Sequence, residues 1–331
     1  MIQSTSGLVL CCCFTDIDEL AEFINTRRNL QLTQLSQEKF RSELLFVAFD
    51  EATFSFSQAS CPVYNLGEKS SDHVDFSCIL ESDRDRPGVI SHNQNLSHDT
   101  LFGFDSTRGV RLIVPANMRF CNVQIRQDVL QDCLEAMDRP DLDQDFFKTN
   151  YISLPATLPI VKSYLTDLFH LTQQQPELLK IPHFKKIILE DLIPLIIEAI
   201  PPRQSSRAQS LRPITRALLV KQAEDYMMAN LHQPLTVNDL CRELNANSRS
   251  IFYGFQEIFG MAPMAYLKVQ RLHSVRRRLK AADPERDSVT AIANQFGFWS
   301  AGHFARDYKK MFGERPSQTI QQFTRINQLK V

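Results

Sequence analysis

Apolar and polar residues follow different periods in different parts of this chain. Between residues 40 and 125, short segments rich in Phe, Val, Ile and Leu are separated by turn residues, which is typical of β-strands. After Arg126 the apolar residues recur every three or four positions, which predicts helices. The predicted strands are LLFVAF, TFSFSQ, CPVYNL, VDFSCIL, GVRLIV and RFCNVQI, and the predicted helices are DVLQDCLEAM, LPIVKSYLTDLFHLT and FKKIILEDLIPLIIEAI. This order predicts a β-sandwich or barrel-like domain with helices on or beside its sheets.

The segment PPRQSSRAQSLRP, at residues 201–213, interrupts both patterns. Its prolines, small polar residues and lack of apolar periodicity are typical of an interdomain linker. Every segment after it has helical spacing, beginning with ITRALLVKQAEDYMMANL. We therefore predict an α+β chain with an N-terminal domain over residues 1–200, a linker over 201–212 and an all-α domain over 213–331.

The C-terminal domain contains one structural unit twice. The first copy begins at Thr236 and the second at Ser288, an offset of 52; after a turn one residue longer in the second copy, Asn247 matches Ser300 at an offset of 53. Each copy has a short capped helix, a tight turn, and a second capped helix that ends at Gly with Pro three residues later. This arrangement predicts two helix-turn-helix units, whose second helices fit the DNA major groove. The alternative is a helical repeat that packs against protein.

Charge is divided between the two domains. From residue 211 to the end, 18 Lys and Arg stand against 10 Asp and Glu, a formal charge of +8, whereas the first 210 residues carry 19 against 28, or −9. A basic domain attached to an acidic one is typical of a protein whose basic part binds nucleic acid.

The connector between the two units, residues 262–282, predicts a helix about 30 Å long. That length is close to the roughly 34 Å between successive major-groove segments on one side of DNA.

The two copies, LTVNDLCRELNANSRSIFYGFQEIFGMAPMAYLKVQRL and SVTAIANQFGFWSAGHFARDYKKMFGERP, resemble the twin helix-turn-helix domain of AraC/XylS-type bacterial transcription regulators. The resemblance covers about residues 213–325 and includes the Gly-x-x-Pro after each second helix, the QRL of the connector and the Gly-Phe turn. Within that family, HSVRRRL and FGFWSAGHFARDY are most similar to the ethanolamine-utilisation regulator type. The resemblance implies a cytoplasmic bacterial protein that binds double-stranded DNA.

The N-terminal domain resembles the sensing half of the same family more weakly, through TDIDELAEFI and LQLTQLSQEKF. That likeness implies a small-molecule effector of unknown identity and a homodimer, with RNA polymerase as a further partner. Activation and repression both stay open. The alternatives are a ligand-independent architectural DNA-binding protein and a metalloenzyme fused to a DNA-binding tail.

The outer faces of the two second helices carry the candidate DNA-binding residues. Arg249 and Arg306 suit guanine, Gln256 suits adenine, and Phe252 suits either a thymine methyl or the rim of the core. Lysine side chains at the end of the second copy suit phosphate. The full predicted set is Ser248, Arg249, Phe252, Tyr253, Gln256, Ser300, Gly302, His303, Arg306, Lys309 and Lys310.

Several residues in this domain have competing interpretations. Ala301 and Gly302 stand where the family usually has larger polar side chains. Arg306 alternatively forms a surface ion pair with Asp307. The basic run at residues 276–278 predicts a solvated face, with phosphate contact as the alternative. Trp299 is predicted to pack within its turn rather than to intercalate between bases.

The N-terminal domain offers few groups with recognisable chemistry. The apolar run at residues 7–14, GLVLCCCF, is too short to span a bilayer and follows no basic residue, which predicts neither a membrane helix nor a signal peptide. Eight cysteines without CxxC pairs predict free thiols. Cys11, Cys12 and Cys13 are expected to be buried or half-buried apolar residues, with a redox or soft-metal sensor as the alternative.

No motif predicts catalysis or a cofactor. His73, His92 and His98 lie among aspartates in the sequence, but their spacing matches no metal-ligand pattern and predicts exposed loop histidines. A Gly-rich phosphate loop, GxSxG and HExxH are all absent from the sequence. We therefore expect neither catalytic nor metal-binding residues and no cofactor.

Overall fold

The computed structural model of the 331-residue chain describes residues 8–80, 88–202 and 215–321. Most of the predicted linker at 201–212, from residue 203 onward, lies outside those ranges. The chain divides into two compact units. The first comprises Met1–Leu32, Arg41–Ser91 and Asn95–Ser210, and the second comprises Thr33–Phe40, His92–Gln94 and Leu211–Val331.

Strands fill the first part of the chain and helices follow them. The strands are β1 (Leu8–Phe14), β2 (Leu30–Gln34), β3 (Ser42–Ala48), β4 (Ala52–Ala59), β5 (Val63–Gly67), β6 (His73–Ile79), β7 (Ile90–Ser91), β8 (Gln94–Asn95), β9 (Thr100–Phe102), β10 (Val110–Val114), β11 (Phe120–Arg126) and β12 (Tyr151–Ser153). The helices up to residue 199 are α1 (Ile17–Asn25), α2 (Gln127–Ala136), α3 (Gln144–Phe147), α4 (Leu158–Gln174), the 3-10 helix Pro176–Lys180 and α5 (Pro182–Ala199).

The strands form two sheets. One has the order β1-β3-β4-β11-β6-β9-β12 and the other has the order β2-β5-β10-β7-β8. Neighbours such as β1 and β3, β4 and β11, and β5 and β10 run antiparallel. Two antiparallel sheets followed by helices confirm the predicted fold class of the N-terminal part.

The core of this part lies on one face of the larger sheet. In the first part of β4, Ala52, Phe54 and Phe56 are buried and alternate with half-buried residues, so that all three point to the same face. Leu165 of α4 and Ile196 of α5, both fully buried, belong to the same apolar cluster. The period-two pattern of the strand and the helical pattern after residue 126 therefore meet in one interface.

A half-buried lysine joins two loops beside the sheets. Lys69 Nζ donates hydrogen bonds to the carbonyl oxygens of Gly103 and Asp105, each at 2.7 Å. Burial lowers the pKa of Lys69 to about 8, although the carboxylates of Asp75 and Asp105 oppose that shift. Arg28 pairs with the buried Asp75 in the same region.

The three consecutive cysteines lie in β1, at the edge of the larger sheet. Cys11 and Cys13 are exposed and Cys12 is half-buried. The prediction of buried or half-buried side chains was wrong for Cys11 and Cys13, because one face of this edge strand is open to solvent. Burial, followed by the neighbouring thiols, raises the pKa of Cys12.

The described residues from 215 to 321 contain helices and no strand, as predicted. The helices are α6 (Thr215–Ala229), α7 (Val237–Glu243), α8 (Ser248–Phe259), α9 (Pro263–Lys280), α10 (Val289–Gln295) and α11 (Ala301–Phe312). Across the described parts of the chain, none of the helices has both the length and the apolar character to cross a membrane.

Candidate nucleic-acid interface

The first helix-turn-helix unit consists of α7 and α8. Thr236 and Asp239 form a reciprocal capping box at the start of α7, in which each side chain accepts the other's backbone N–H. Asn245, with φ of +47°, turns the chain after α7. The Asn247 side chain then caps α8 by accepting a backbone N–H at 2.8 Å. Gly260, with φ of +68°, ends α8 in a left-handed conformation.

The second unit, α10 and α11, repeats this order. Ser288 caps α10, and Gly297 turns the chain with φ of +81° at the position that matches Asn245. Gly313 ends α11 with φ of +76°. Ser300 occupies the predicted cap position of α11, but its hydroxyl makes no cap hydrogen bond. The residues that begin, turn and end each unit thus recur, but the second helix of the second unit, α11, has a weaker cap. We call α8 and α11 the recognition helices.

The turn of the second unit is closely packed. A Cβ added to Gly297 would lie 3.2 Å from Nη1 of Arg271, so both the positive φ and the available space favour glycine there. Arg271, on α9, donates a hydrogen bond to the carbonyl oxygen of Leu231 at 2.9 Å and another to that of Gln233. Burial lowers the pKa of this guanidinium. The α9 helix therefore contacts both the turn before α11 and the segment before α7.

The inner faces of the two recognition helices form the core of this domain. Ile251, Phe255 and Phe259 of α8 are buried, as predicted. Phe304 and Tyr308 of α11 are also buried, and their rings meet with centroids 5.5 Å apart. Because one face of each helix is committed to packing, the opposite face is fixed toward solvent.

The outer face of α8 contains every residue predicted for it. Arg249, Phe252 and Tyr253 are exposed, and the Arg249 guanidinium lies over the Tyr253 ring, 5.4 Å from its centroid. Phe252 is 48% exposed. Ser248 and Gln256 are exposed on the same helix.

The outer face of α11 is more basic. Arg306 is exposed, and its alternative partner Asp307 instead accepts a hydrogen bond from Lys268 Nζ at 2.5 Å. Within the described residues, Arg306 has no carboxylate at ion-pair distance. The other predicted residues of this helix and its cap, all exposed, are Ser300, Gly302, His303, Lys309 and Lys310.

The connector helix α9 has 18 residues and is therefore about 27 Å long. The prediction of a solvated basic face at residues 276–278 was wrong for Arg276, which is buried. Its guanidinium pairs with Glu314 at 3.0 Å and lies 4.4 Å from the ring centroid of Phe312. Arg277 and Arg278 are exposed. The helical period explains this difference, because Arg276 falls on the stripe of buried residues that includes Leu272 and Leu279.

Trp299 also contradicts its prediction. The adjacent Phe298 packs on Phe304, with centroids 5.1 Å apart, whereas Trp299 is 75% exposed. Sequence reasoning placed both aromatic residues inside the turn and so missed Trp299 as a surface residue. The available signal was its position directly before the cap, where successive side chains point in different directions.

The three histidines considered as metal ligands are half-buried rather than exposed. His73 Nδ1 lies 2.9 Å from an Asp72 carboxylate oxygen. Across residues 8–80, 88–202 and 215–321, no three His, Cys, Asp or Glu side chains form a group suited to a metal ion.

The sequence comparisons with known proteins concern the C-terminal part. The helix-turn-helix domain family matches residues 240–322. Over 102 residues, 31% of this chain, the sequence is 41% identical to the "probable thc operon regulatory protein" of Rhodococcus erythropolis. Over 91 residues, 28% of this chain, it is 33% identical to "XylDLEGF operon transcriptional activator 3" of Pseudomonas putida. The matches span 31% and 28% of the lengths of these two relatives.

Among the solved structures that are similar over the same part is a probable AraC family transcriptional regulator from Rhodopseudomonas palustris CGA009. It is 43% identical, and the match covers 32% of this chain and 97% of that chain with a TM-score of 0.30.

Proposed function

We propose that this protein is a transcription regulator that binds two successive major-groove segments of double-stranded DNA, because residues 240–322 match the helix-turn-helix domain family. The observation that carries the proposal is the pair of recognition helices, α8 and α11, each with a buried inner face and an exposed polar or basic outer face. An α-helix fits the major groove, where each base pair presents a distinct pattern of donors and acceptors.

The connector supports binding by both units of one chain. At about 27 Å, α9 is slightly shorter than the roughly 34 Å that separates successive major-groove segments on one side of DNA. Packing on both units makes it a stiff spacer. The formal charge of +8 after residue 210 favours the phosphate backbone and steers the domain toward DNA.

Individual residues have distinct roles in this proposal. Arg249 and Arg306 donate to guanine, and Gln256 pairs with adenine. Lys309 and Lys310, at the far end of α11, contact phosphate and position the helix.

Regulation is assigned to the N-terminal unit. We propose that its two-sheet domain binds a small-molecule effector and joins two chains, and that the protein acts in a bacterial cytoplasm without catalysing a reaction. The Pseudomonas putida relative is named a transcriptional activator, and we extend activation, with RNA polymerase as the partner, to this chain.

Selection from a random duplex library with the purified full-length protein tests the DNA-binding proposal. We expect a motif with two elements about one helical turn apart, and a logarithm of affinity that falls linearly with the logarithm of salt. A motif with one element would contradict binding by both units. A flat salt dependence would contradict phosphate neutralisation by the basic domain.

Matched arginine variants locate the interface. Arg249→Ala and Arg306→Ala should each weaken binding to the selected motif, whereas Arg286→Ala should not, because Arg286 is an exposed arginine on the loop between α9 and α10. Equal effects from all three would indicate only a loss of net charge. If no metabolite in a screened set changes the affinity for DNA, the ligand-independent architectural alternative would be favoured.

A further inference from the structure

The two recognition helices differ most in their first turns. At an offset of 53, Arg249 of α8 corresponds to Gly302 of α11, and the half-buried Ala246 before α8 corresponds to Trp299 before α11. The second unit therefore has His303 but no arginine in its first turn, and it has a large apolar side chain just ahead of that turn. Trp299 is the most exposed large apolar side chain in the described residues, at 75%.

The position of Trp299 is fixed by the backbone on both sides. The N–H of Gly297 donates to the carbonyl oxygen of Asn294 at 3.0 Å, and that of Phe298 donates to Ala293 at 3.1 Å. Phe298 is packed on the core, and Ser300 begins α11. The indole therefore stands on an ordered turn next to the first turn of a recognition helix, the part of such a helix that contacts base edges.

Gly302 is not required by the fold. A Cβ added to it would meet no atom within 4 Å, and its φ lies outside the positive range. Glycine at this position destabilises the helix relative to alanine, without relieving any internal clash. A missing side chain at this exposed position lets the helix backbone approach another surface closely.

We propose that α11 recognises thymine by apolar contact, with the Trp299 indole packed against a thymine 5-methyl group and Gly302 allowing close approach to the groove floor. The proposal rests on the proposed DNA-binding function. An exposed indole has no hydrogen-bond acceptor with which to pair an adenine amino group, but it offers a broad apolar face for the methyl group that distinguishes thymine in the major groove. Arg306, one turn later, supplies the hydrogen bonds of the same helix.

Thymine-to-uracil substitution tests this contact, because it removes the 5-methyl group and nothing else. Each thymine of a duplex obtained by selection is replaced singly, and dissociation constants are measured by fluorescence anisotropy for the wild type, Trp299→Ala and the control Leu218→Ala, an exposed apolar residue of α6. We expect one thymine whose replacement weakens wild-type and Leu218→Ala binding about fourfold, the value for one buried methyl group. The same replacement should leave Trp299→Ala binding unchanged.

A second pair of measurements separates DNA contact from folding. Gly302→Ala should raise the melting temperature, because alanine favours the helix, and yet weaken binding to the selected duplex. Trp299 is the single tryptophan of the chain, so its emission should change on addition of the selected duplex, and at saturation it should change less when uracil replaces the identified thymine. Thymine effects that are equal in the wild type and Trp299→Ala would overturn this proposal alone. Failure to select any duplex would overturn the DNA-binding function and this contact together.

Discussion

Replacing Arg276 with alanine should destabilise the second helix-turn-helix unit by about 3 kcal/mol. Breaking a buried ion pair by removing one partner costs about 3–5 kcal/mol. Arg276 is 4% exposed, but Glu314 is 17% exposed and also accepts a hydrogen bond from Thr319, which favours the lower end of that range. Loss of the contact with the Phe312 ring adds to the effect.

Hydrogen exchange of the α11 amides measures this change in the full-length protein. If the exchange rate depends on the equilibrium between closed and open α11, a loss of about 3 kcal/mol of stability makes exchange roughly a hundredfold faster. The matched control is Arg278→Ala, since Arg278 is 45% exposed and lies 3.5 Å from Asp287. An exposed pair of this kind contributes about 0–1 kcal/mol.

The two arginines should also differ in DNA binding. Folded Arg276→Ala should keep the salt dependence of the wild type, because its guanidinium faces the core and not phosphate. Similar α11 exchange rates in the two variants, or a reduced salt slope in folded Arg276→Ala, would refute the structural role of Arg276.

Three further outcomes are expected. Arg306→Ala should lower specific DNA affinity by about 1–3 kcal/mol in fluorescence anisotropy, and an effect no larger than that of Arg286→Ala would contradict base contact. Relative to Lys69→Met, wild-type stability in urea titrations should rise as the pH increases from about 8 to 10.5. The unfolded chain keeps the lysine proton over that range while the folded protein has released it, so a pH-independent difference would exclude the lowered pKa. Asn247→Ala should destabilise α8 by about 1 kcal/mol, measured by hydrogen exchange. Ser300→Ala should destabilise α11 much less, because only Asn247 makes a cap hydrogen bond. Equal effects of the two substitutions would contradict this explanation.

The sequence was most informative where one local rule determined the structure. Alternation in β4 and the three-to-four spacing in α4 were sufficient to predict those elements and their buried faces. In contrast, β1 was missed because its continuous apolar run has no alternation, and its exposure depends on its place at the edge of a sheet. Short strands such as β7 and β8 are too brief to show any period.

Helical periodicity predicted the parts of the candidate interface that lie within helices, but not those in the turn. The buried face of α8 defined its outer face, and all of the side chains predicted there are exposed. Arg276 could have been recognised from its spacing to Leu272 and Leu279, but the run of three arginines favoured a surface assignment. The opposite directions of Phe298 and Trp299 could not be predicted, because a tight turn has no period that determines which aromatic residue packs.

The number of residues in α9 has a consequence for how such a protein can change over time. Adding one residue to a helix rotates everything beyond it by about 100° and advances it by 1.5 Å. In the proposed binding mode, a single insertion in α9 would therefore turn the outer face of α11 away from the side of the duplex that α8 faces. Since α9 packs on both units, it has no flexible joint to absorb that rotation. New target sequences can arise freely through exchanges on α8 and α11, while the interval between the two target elements stays constant unless α9 gains or loses whole turns.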